Sequence, residues 1–170
     1  MLSKRKANDR AVRALLRLCR QRDDVVLVNP SWGEDTAPAK QMVGEAGAER
    51  KVVFLPYLAS RPLLNAFNVR GATVIDEFVF GSYGLSTLGA MTCERAVISH
   101  IYSEQYRPYV RRLSPDLEAR TENEIYDRMK WVDENPGALT AVGRGSRDWV
   151  EDQHSVGSVR ILEEVMTERA

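Results

Sequence analysis

The chain has few of the residues on which metal sites, disulfides and membrane spans depend. It contains two cysteines, Cys19 and Cys93, and two histidines among 170 residues. No Cys/His spacing resembles a zinc site. Two cysteines among apolar neighbours suit a reducing compartment. The longest apolar runs, such as Val25–Val28, are far shorter than the roughly 20 residues of a membrane helix. We therefore expect a cytoplasmic protein that needs no metal ion or other cofactor.

The chain also lacks an excess of charge of either sign. Its Lys and Arg residues number 24 and its Asp and Glu residues number 24. This balance argues against nucleic acid as a partner. The N-terminal stretch is locally basic, and the spacing of Arg10, Arg13, Arg17 and Arg20 is typical of the solvent-facing side of a helix.

Short apolar segments alternate with helical patterns along the first two thirds of the chain. Strands are predicted at Asp24–Asn29, Val52–Leu55, Ala72–Asp76 and Ala96–Ser99. Helices are predicted at Asn8–Gln21, from Thr36 to Gly44 or Gly47, at Ala59–Asn68 and at Leu85–Cys93. This alternation predicts the α/β class, with a Rossmann-like parallel sheet and helices on both faces, as a single domain over residues 1–170.

The last third of the chain is predicted to be helical. Thr121-Glu122-Asn123-Glu124 has the pattern of a capping box, which opens a helix that we expect to stop at Asn135-Pro136-Gly137. Two further helices are predicted over Ala138–Asp152 and Ser155–Thr167.

The turn Gly81–Gly84, between the third strand and the helix that begins at Leu85, has the clearest pattern for ligand binding. Ligands of open parallel sheets bind beyond the carboxyl ends of the strands. Two glycines let the backbone approach a ligand, and the helix start would direct N–H groups and the hydroxyls of Ser86 and Thr87 at it. This arrangement favours a phosphate or diphosphate. The alternative is an ordinary strand–helix turn with a Ser/Thr cap.

Other residues have both a functional and a structural interpretation. His100 follows a strand, and it would act there as a general base or be a loop residue without a chemical role. Asp76 would orient a ligand hydroxyl or cap the following turn. His154 opens the predicted final helix as a cap or surface group. Trp131 and Trp149 lie at core spacing on helices.

Four segments carry a resemblance to a known family. They are Lys6-Ala7-Asn8-Asp9, Val53–Tyr57, Gly81–Ile98 and Arg147-Asp148-Trp149-Val150. In this order they resemble the C-terminal domain of family-4-type retaining glycosyltransferases, whose two-domain architecture is the GT-B fold. The resemblance implies that the diphosphate of a nucleotide-sugar donor is bound by Lys6, Ser82, Gly84, Leu85, Ser86 and Thr87. It also implies that Pro56, Tyr57 and Asp76 border the base and ribose.

The chain departs from this family at the positions that carry its signature. The signature begins Glu-Gly-Phe-Gly and has a second glutamate after seven intervening residues, and these two glutamates correspond to Gly81 and Gly89. In the family the second glutamate binds the donor ribose and the first lies near the transferred sugar. A glycine offers no acceptor, and losing a charge-assisted hydrogen bond costs roughly 1.5–3 kcal/mol. The resemblance therefore leaves the catalytic residues unknown.

A second departure concerns the start of the domain. In the family it begins with a central strand ending in Gly-Arg, whereas only Met1–Arg5 precede the first helix here. We therefore expect the strands at Val25–Val28 and Ala72–Ile75 to lack their shared neighbour. We also expect the natural unit to be larger, completed by an N-terminal glycosyltransferase domain or another protein chain.

Three functions are compatible with these observations. The resemblance implies the donor-binding half of an enzyme that transfers a hexose from a nucleotide diphosphate sugar to an unknown acceptor, with membrane contact only through a partner. The alternative is a non-catalytic, degenerate module that binds a partner or a nucleotide. The third, nucleic-acid binding by the basic first helix, is disfavoured by the zero net charge.

Overall fold

The computed structural model describes residues 8–31, 33–55 and 61–154. The elements in chain order are α1 Asn8–Cys19, β1 Leu27–Pro30, α2 Thr36–Glu45, β2 Val52–Leu55, α3 Arg61–Arg70, β3 Thr73–Ile75, α4 Leu85–Thr92, β4 Ala96–Ser99, α5 Ser103–Tyr106, β5 Leu117–Glu118, α6 Glu122–Glu134 and α7 Pro136–His154. All strand pairs formed by these residues are parallel. The predicted α/β class is confirmed. Within the described ranges, no helix is long and apolar enough to cross a membrane.

The sheet is formed in two parts. β1 pairs with β2, with Leu27 opposite Val52. The other part has the order β3-β4-β5, with Thr73 opposite Ala96 and Ile98 opposite Leu117. Within the described ranges no pairing joins β1 to β3. That a further strand belongs between them stays a prediction.

The main core lies between α1 and α6. The apolar stripe of α1 buries Leu15 and Leu18, and α6 contributes the buried side chains of Ile125 and Met129. The spacing by three and four residues places these side chains on one face of each helix. Burial of this stripe fixes the first helix of the chain against the C-terminal part of the fold.

The arginines of α1 are exposed or partly exposed, as predicted, and they also contact α6. Arg13 Nε donates to Glu122 at 2.8 Å, and the Arg17 guanidinium lies 3.8 Å from the centre of the Tyr126 ring. The carboxylate of Glu122 also raises the pKa of Arg13. The three- and four-residue spacing predicts the exposed face, but it does not show that this face also lies beside α6. These contacts further weaken the nucleic-acid interpretation.

The C-terminal helices begin at well-defined signals. The predicted capping box is confirmed, because the Thr121 hydroxyl accepts from the Glu124 amide and the Glu124 carboxylate accepts from the Thr121 amide. The Asn135-Pro136-Gly137 segment ends α6 as predicted, but α7 begins within it, at Pro136. Proline is tolerated there because the first helical amide needs no intrahelical partner. The predicted helix over Ser155–Thr167 lies outside the described residues.

A second apolar cluster joins α4, β4 and α7. Trp149 and Met91 are fully buried together with Val97, which confirms the packing role predicted for Trp149. The approach of α7 is very close at Gly143, where an added Cβ would lie 2.1 Å from the carbonyl oxygen of Glu94. Glu94 itself has a φ of 57°, a conformation that helix ends usually give to glycine or asparagine.

Candidate functional site

The predicted turn lies at the carboxyl end of β3, against the segment that follows β4. Backbone amides of Asp76, His100 and Tyr102 donate to the carbonyls of Ile98, Glu77 and Gly81 at 3.2, 3.0 and 2.9 Å. These hydrogen bonds continue the pairing of β3 with β4 beyond the strands themselves. The turn is therefore held at the edge of the sheet where ligands of parallel α/β folds bind.

Glu77 organises the turn and was not singled out by the sequence analysis. Its carboxylate is buried, and it accepts from the amides of Phe80 and Gly81, each at 2.7 Å, and of Val79 at 3.3 Å. Three amide donors to one carboxylate fix the backbone between them. The signal for this role is local, since an acidic residue lies four positions before a glycine in a turn.

Gly81 is packed directly beneath an aromatic ring. Its φ is 65°, which favours glycine. A Cβ built at this position would lie 2.0 Å from Cδ2 of Tyr102. The ring of Tyr102 therefore occupies the space that a side chain at position 81 would need. Residue 102 is 21 positions further along the chain, and no sequence pattern indicated this contact.

The helix that carries the candidate anion site begins where predicted. α4 starts at Leu85, and Gly84 is its N-cap in an extended conformation, with φ −73° and ψ 160°. Gly84 does not need a positive φ; its constraint is space, because an added Cβ would lie 3.2 Å from Oδ2 of Asp76. The first turn of α4 contains no acidic residue, so no side chain of that turn opposes an anion.

Asp76 and Thr87 are bound to each other beneath this helix start. The Thr87 hydroxyl donates to Asp76 Oδ2 at 2.8 Å, and both residues are buried. The expectation that the hydroxyl of Thr87 points at the turn is therefore wrong: it satisfies a buried carboxylate instead. This side-chain contact is not a cap, because Gly84 at the N-cap of α4 has no side-chain cap hydrogen bond, and the predicted role of Asp76 towards a ligand hydroxyl stays a prediction.

The outer side of the helix start is formed by the remaining predicted residues. Leu85 is 73% exposed, and Ser82, Gly84 and Ser86 are partly exposed. Gly89 lies further along α4, also partly exposed, and its carbonyl accepts from the Thr92 hydroxyl at 2.8 Å. The structure thus brings Ser82, Gly84, Leu85 and Ser86 to one accessible end of α4.

Three predicted site residues cannot be placed against this group. Lys6, Pro56 and Tyr57 lie outside the described residues. Their assignment to the diphosphate and the base stays a prediction.

Tyr83 anchors the turn to the second apolar cluster. Its ring centre lies 4.6 Å from that of Trp149 and 4.9 Å from that of Tyr106, and its hydroxyl bonds to the Ser114 hydroxyl at 2.8 Å. Burial raises the pKa of Tyr83. His154 is the last residue of α7, and its ring centre lies 5.0 Å from that of Trp149, where partial burial lowers the pKa of His154. The predicted helix that it would open lies outside the described residues.

His100 is a loop residue directly after β4, as one of its two interpretations had it, and it is buried. It is 5% exposed, and its ring meets that of Tyr102 edge-on at 4.6 Å. After it, Ser103–Tyr106 form one helical turn. Within the described ranges, no group of three or more His, Cys, Asp or Glu side chains is arranged to hold a metal ion.

Comparisons with known proteins identify the fold. No family model and no curated protein matches the chain. Among solved structures, the C-terminal domain of a group 1 family glycosyl transferase, LpcC of Francisella tularensis, has a TM-score of 0.75 at 16% identity, over 91% of this chain and 83% of that one. A TarM variant of S. aureus, solved with UDP and other ligands, has a TM-score of 0.74 at 18% identity and is covered over 32% of its length. HepE of Anabaena, solved with UDP and glucose, has a TM-score of 0.75 at 15% identity over 98% of this chain and 46% of that one.

These neighbours are GT-B glycosyltransferases. The α/β arrangement of this chain matches the C-terminal Rossmann-like half of that fold. The chain spans about a third to a half of the length of TarM and HepE.

Proposed function

We propose that this chain is the donor-binding domain of a glycosyltransferase and holds the diphosphate of a nucleotide sugar at the start of α4. One observation carries the proposal. A glycine turn at the carboxyl end of β3 leads into an accessible helix start, in a fold whose solved neighbours include complexes with UDP.

The chemistry of the helix start suits a departing diphosphate. The first amides of a helix have no intrahelical acceptor, and the helix dipole places roughly half a positive charge at that end. Ser82 and Ser86 add hydroxyl donors beside it. In the transfer of a hexose, charge develops on the leaving diphosphate, so donors already in place stabilise the transition state. In this proposal Lys6 supplies a cation to the diphosphate, and Pro56 and Tyr57 border the base.

The proposed unit includes a second half that binds the acceptor. The full-length neighbours are two to three times as long as the region this chain covers. We propose that an N-terminal glycosyltransferase domain or another protein chain supplies the acceptor site, and that turnover requires both halves.

One observation favours the alternative of a module that binds without turnover. The position of the family's first signature glutamate is Gly81, and the Tyr102 ring fills the space beside it. A glutamate at this position would displace that ring. The chain is thus built around the absence of this side chain, which is compatible with nucleotide or partner binding but removes one group near the transferred sugar.

The test is UDP binding to the whole chain, measured by calorimetry, with a pair of variants at the helix start. Ser86→Asp places a negative charge in the first turn of α4, where it favours the helix by about 0.3–1 kcal/mol but repels a diphosphate. We expect UDP affinity to fall at least about tenfold, equivalent to 1.4 kcal/mol, while the unfolding free energy stays equal or rises. Ser86→Asn is the matched control, with similar size and no charge.

The outcomes separate the two functions. Absent or millimolar UDP binding by the unaltered chain favours the degenerate module. If UDP binds but Ser86→Asp and Ser86→Asn behave alike, the diphosphate lies elsewhere. Gly89→Glu restores a ribose acceptor and should tighten UDP binding about tenfold or more; an unchanged affinity would exclude the alignment of α4 with the family signature.

A further inference from the structure

A chain of hydrogen bonds connects the carboxyl group of Asp116 to the turn Gly81–Gly84. The Tyr83 hydroxyl, which belongs to this turn, lies 2.8 Å from the Ser114 hydroxyl. The Ser114 hydroxyl is bonded in turn to Oδ1 of Asp116. Two hydroxyl groups therefore link the carboxyl group, just before β5, to the segment that leads into the candidate site.

The carboxyl group of Asp116 is only half satisfied. Its Oδ2 is buried and has no hydrogen-bond partner among the residues that the structure describes. An ionised carboxylate accepts at both oxygens, and burying one of them without a donor is costly. The neutral acid has no charge to solvate and tolerates this position better. Burial accordingly raises the pKa of Asp116 to about 6, against the Ser114 hydrogen bond, which lowers it.

Charges of both signs act on this carboxyl group from the surrounding elements. Besides burial, the carboxylate of Glu118 in β5 raises its pKa, and Arg128 in α6 lowers it. Arg128 Nε donates to the Glu118 carbonyl at 3.1 Å, and the guanidinium does not supply the missing donor at Oδ2. On the side of α7, the residue beside the preceding Pro115 is Gly145, which carries no charge.

Ionisation changes what this chain of hydrogen bonds requires. When the carboxyl group is charged, Ser114 has to donate to it, and Tyr83 has to donate to Ser114, because each hydroxyl carries one proton. When the carboxyl group is neutral, its own proton is available to Ser114, and both hydroxyls are free to reverse. The charged form also needs a donor at the buried Oδ2, and water is the donor that the surface offers.

We propose that Ser114 and Asp116 form a proton-controlled latch on the turn through Tyr83. The latch is closed while the carboxyl group is neutral. When it is charged, its segment moves outward to admit water to Oδ2, and the contact between Ser114 and Tyr83 is lost. The Tyr83 ring stays packed against Trp149 and Tyr106, with 4.6 and 4.9 Å between ring centres, so the change is confined to the turn.

The direction of the pH effect follows from the raised pKa of Asp116. The neutral form is favoured in the folded chain below about pH 6, so the latch is closed at about pH 5 and open at about pH 7. The latch acts on the turn whether or not a diphosphate binds there. Only its effect on UDP rests on the proposed function.

An NMR titration of the backbone amides of Ser82, Tyr83 and Gly84 tests the latch. We expect their signals to shift with a midpoint near pH 6 in the unaltered chain and not to shift in Asp116→Asn. Glu118→Gln is the matched control, because it makes the same carboxylate-to-amide change at a half-exposed side chain of the same segment. It should keep the shift and move its midpoint to lower pH, since Glu118 raises the pKa of Asp116.

Two further variants separate the latch from other causes of a titration. His154 also lies near Tyr83, with 6.1 Å between ring centres, so His154→Gln should leave the shift in place. Ser114→Ala breaks the chain of hydrogen bonds but keeps the carboxyl group. In that variant Asp116 should still titrate, as followed by its own carboxyl carbon signal, while the turn no longer responds.

Amide hydrogen exchange measures the loosening of the turn. The Gly81 amide donates to Glu77 at 2.7 Å, and the Tyr102 amide donates to the Gly81 carbonyl at 2.9 Å. We expect their protection factors, which correct for the intrinsic effect of pH, to fall about tenfold between about pH 5 and about pH 7. A pKa raised by about two units allows at most about a hundredfold change. The Met91 amide within α4 is the internal reference, and in Asp116→Asn the protection should stay constant.

UDP binding connects the latch to the candidate site. Between about pH 5 and about pH 7, UDP affinity of the unaltered chain should fall about fivefold relative to Asp116→Asn, which corrects for ionisation of UDP itself. The inference would be overturned by a turn that does not titrate near pH 6, by a titration that persists in Asp116→Asn or in Ser114→Ala, or by one that is lost in His154→Gln. A UDP affinity that changes equally in both chains would also overturn it. Absent UDP binding, with the titration of the turn intact, would count only against the function proposed for α4.

Discussion

The surroundings of Gly81 allow the cost of a single methyl group to be worked out. Gly81 and Gly47 have nearly the same backbone conformation, with φ of 65° and 63°. An alanine costs about 1–2 kcal/mol in this left-handed region. An added Cβ at Gly47 has nothing within 4 Å, whereas at Gly81 it meets three atoms of the Tyr102 ring at 2.0–2.7 Å. The two substitutions share the strain of a positive φ, and the contact with Tyr102 is the difference that the comparison tests.

The difference in unfolding free energy between the two alanine variants depends on how far the Tyr102 ring can move. Carbon atoms prefer separations of about 3.5–4.0 Å, so the ring would have to shift by more than an ångström. The Tyr102 amide, bonded to the Gly81 carbonyl at 2.9 Å, holds the two backbones together. Overpacking of this kind costs about 1–3 kcal/mol. We expect Gly47→Ala to lower the unfolding free energy by about 1 kcal/mol and Gly81→Ala to lower it by about 3 kcal/mol.

Urea unfolding of a double-mutant cycle measures the contact itself. Tyr102→Ala removes the ring, so in that background Gly81→Ala should cost no more than Gly47→Ala. The expected coupling between positions 81 and 102 is about 2 kcal/mol. The change in unfolded-chain entropy on replacing glycine is the same at both sites and cancels. Equal costs for the two glycines in the unaltered chain, or a coupling near zero, would refute the reasoning.

Three further changes test other contacts by their effect on unfolding. Gly143→Ala should destabilise by about 3 kcal/mol because its Cβ would lie 2.1 Å from a carbonyl oxygen, whereas Gly145→Ala in the same helix should stabilise by about 0.5–1 kcal/mol; urea midpoints of the same sign would contradict this. Thr87→Val should cost about 1.5–3 kcal/mol by removing a hydrogen bond to a buried carboxylate, and Thr87→Ser should restore most of it. Burial raises the pKa of Asp116 to about 6, so stability is highest while the carboxyl is protonated and falls by at most about 3 kcal/mol as the pH rises from about 4 to about 6. Asp116→Asn should remove this fall, and parallel pH profiles of the two proteins would show that the carboxyl is not the cause.

The elements that the sequence predicted are those with strong local patterns. The apolar run Val52–Leu55 is a strand, the apolar stripe of α1 is buried, and α4 begins immediately after its glycine turn. In each case the signal lies within a few neighbouring residues, as the spacing of apolar side chains or as the conformational preference of glycine. β5 was missed because Leu117–Glu118 has only two residues, and its pairing with β4 makes it a strand.

The candidate site was predicted in outline and not in its supporting contacts. Gly81 and Gly84 were identified from the needs of a tight turn. The sequence does not show that Tyr102 covers Gly81, or that Thr87 faces inward to Asp76. These contacts depend on where separate segments meet, and the local pattern of each segment is equally compatible with a solvent-facing side chain.

The short helix α4 is fixed at both of its ends. Its start is tied to the sheet through Thr87 and Asp76, and its end meets α7 where the Glu94 carbonyl faces Gly143. A receptor held in this way has little conformational freedom left to lose when a ligand arrives. Recognition at this end of α4 should therefore be of the lock-and-key kind, with the amide hydrogen exchange of the helix already slow before any nucleotide is added.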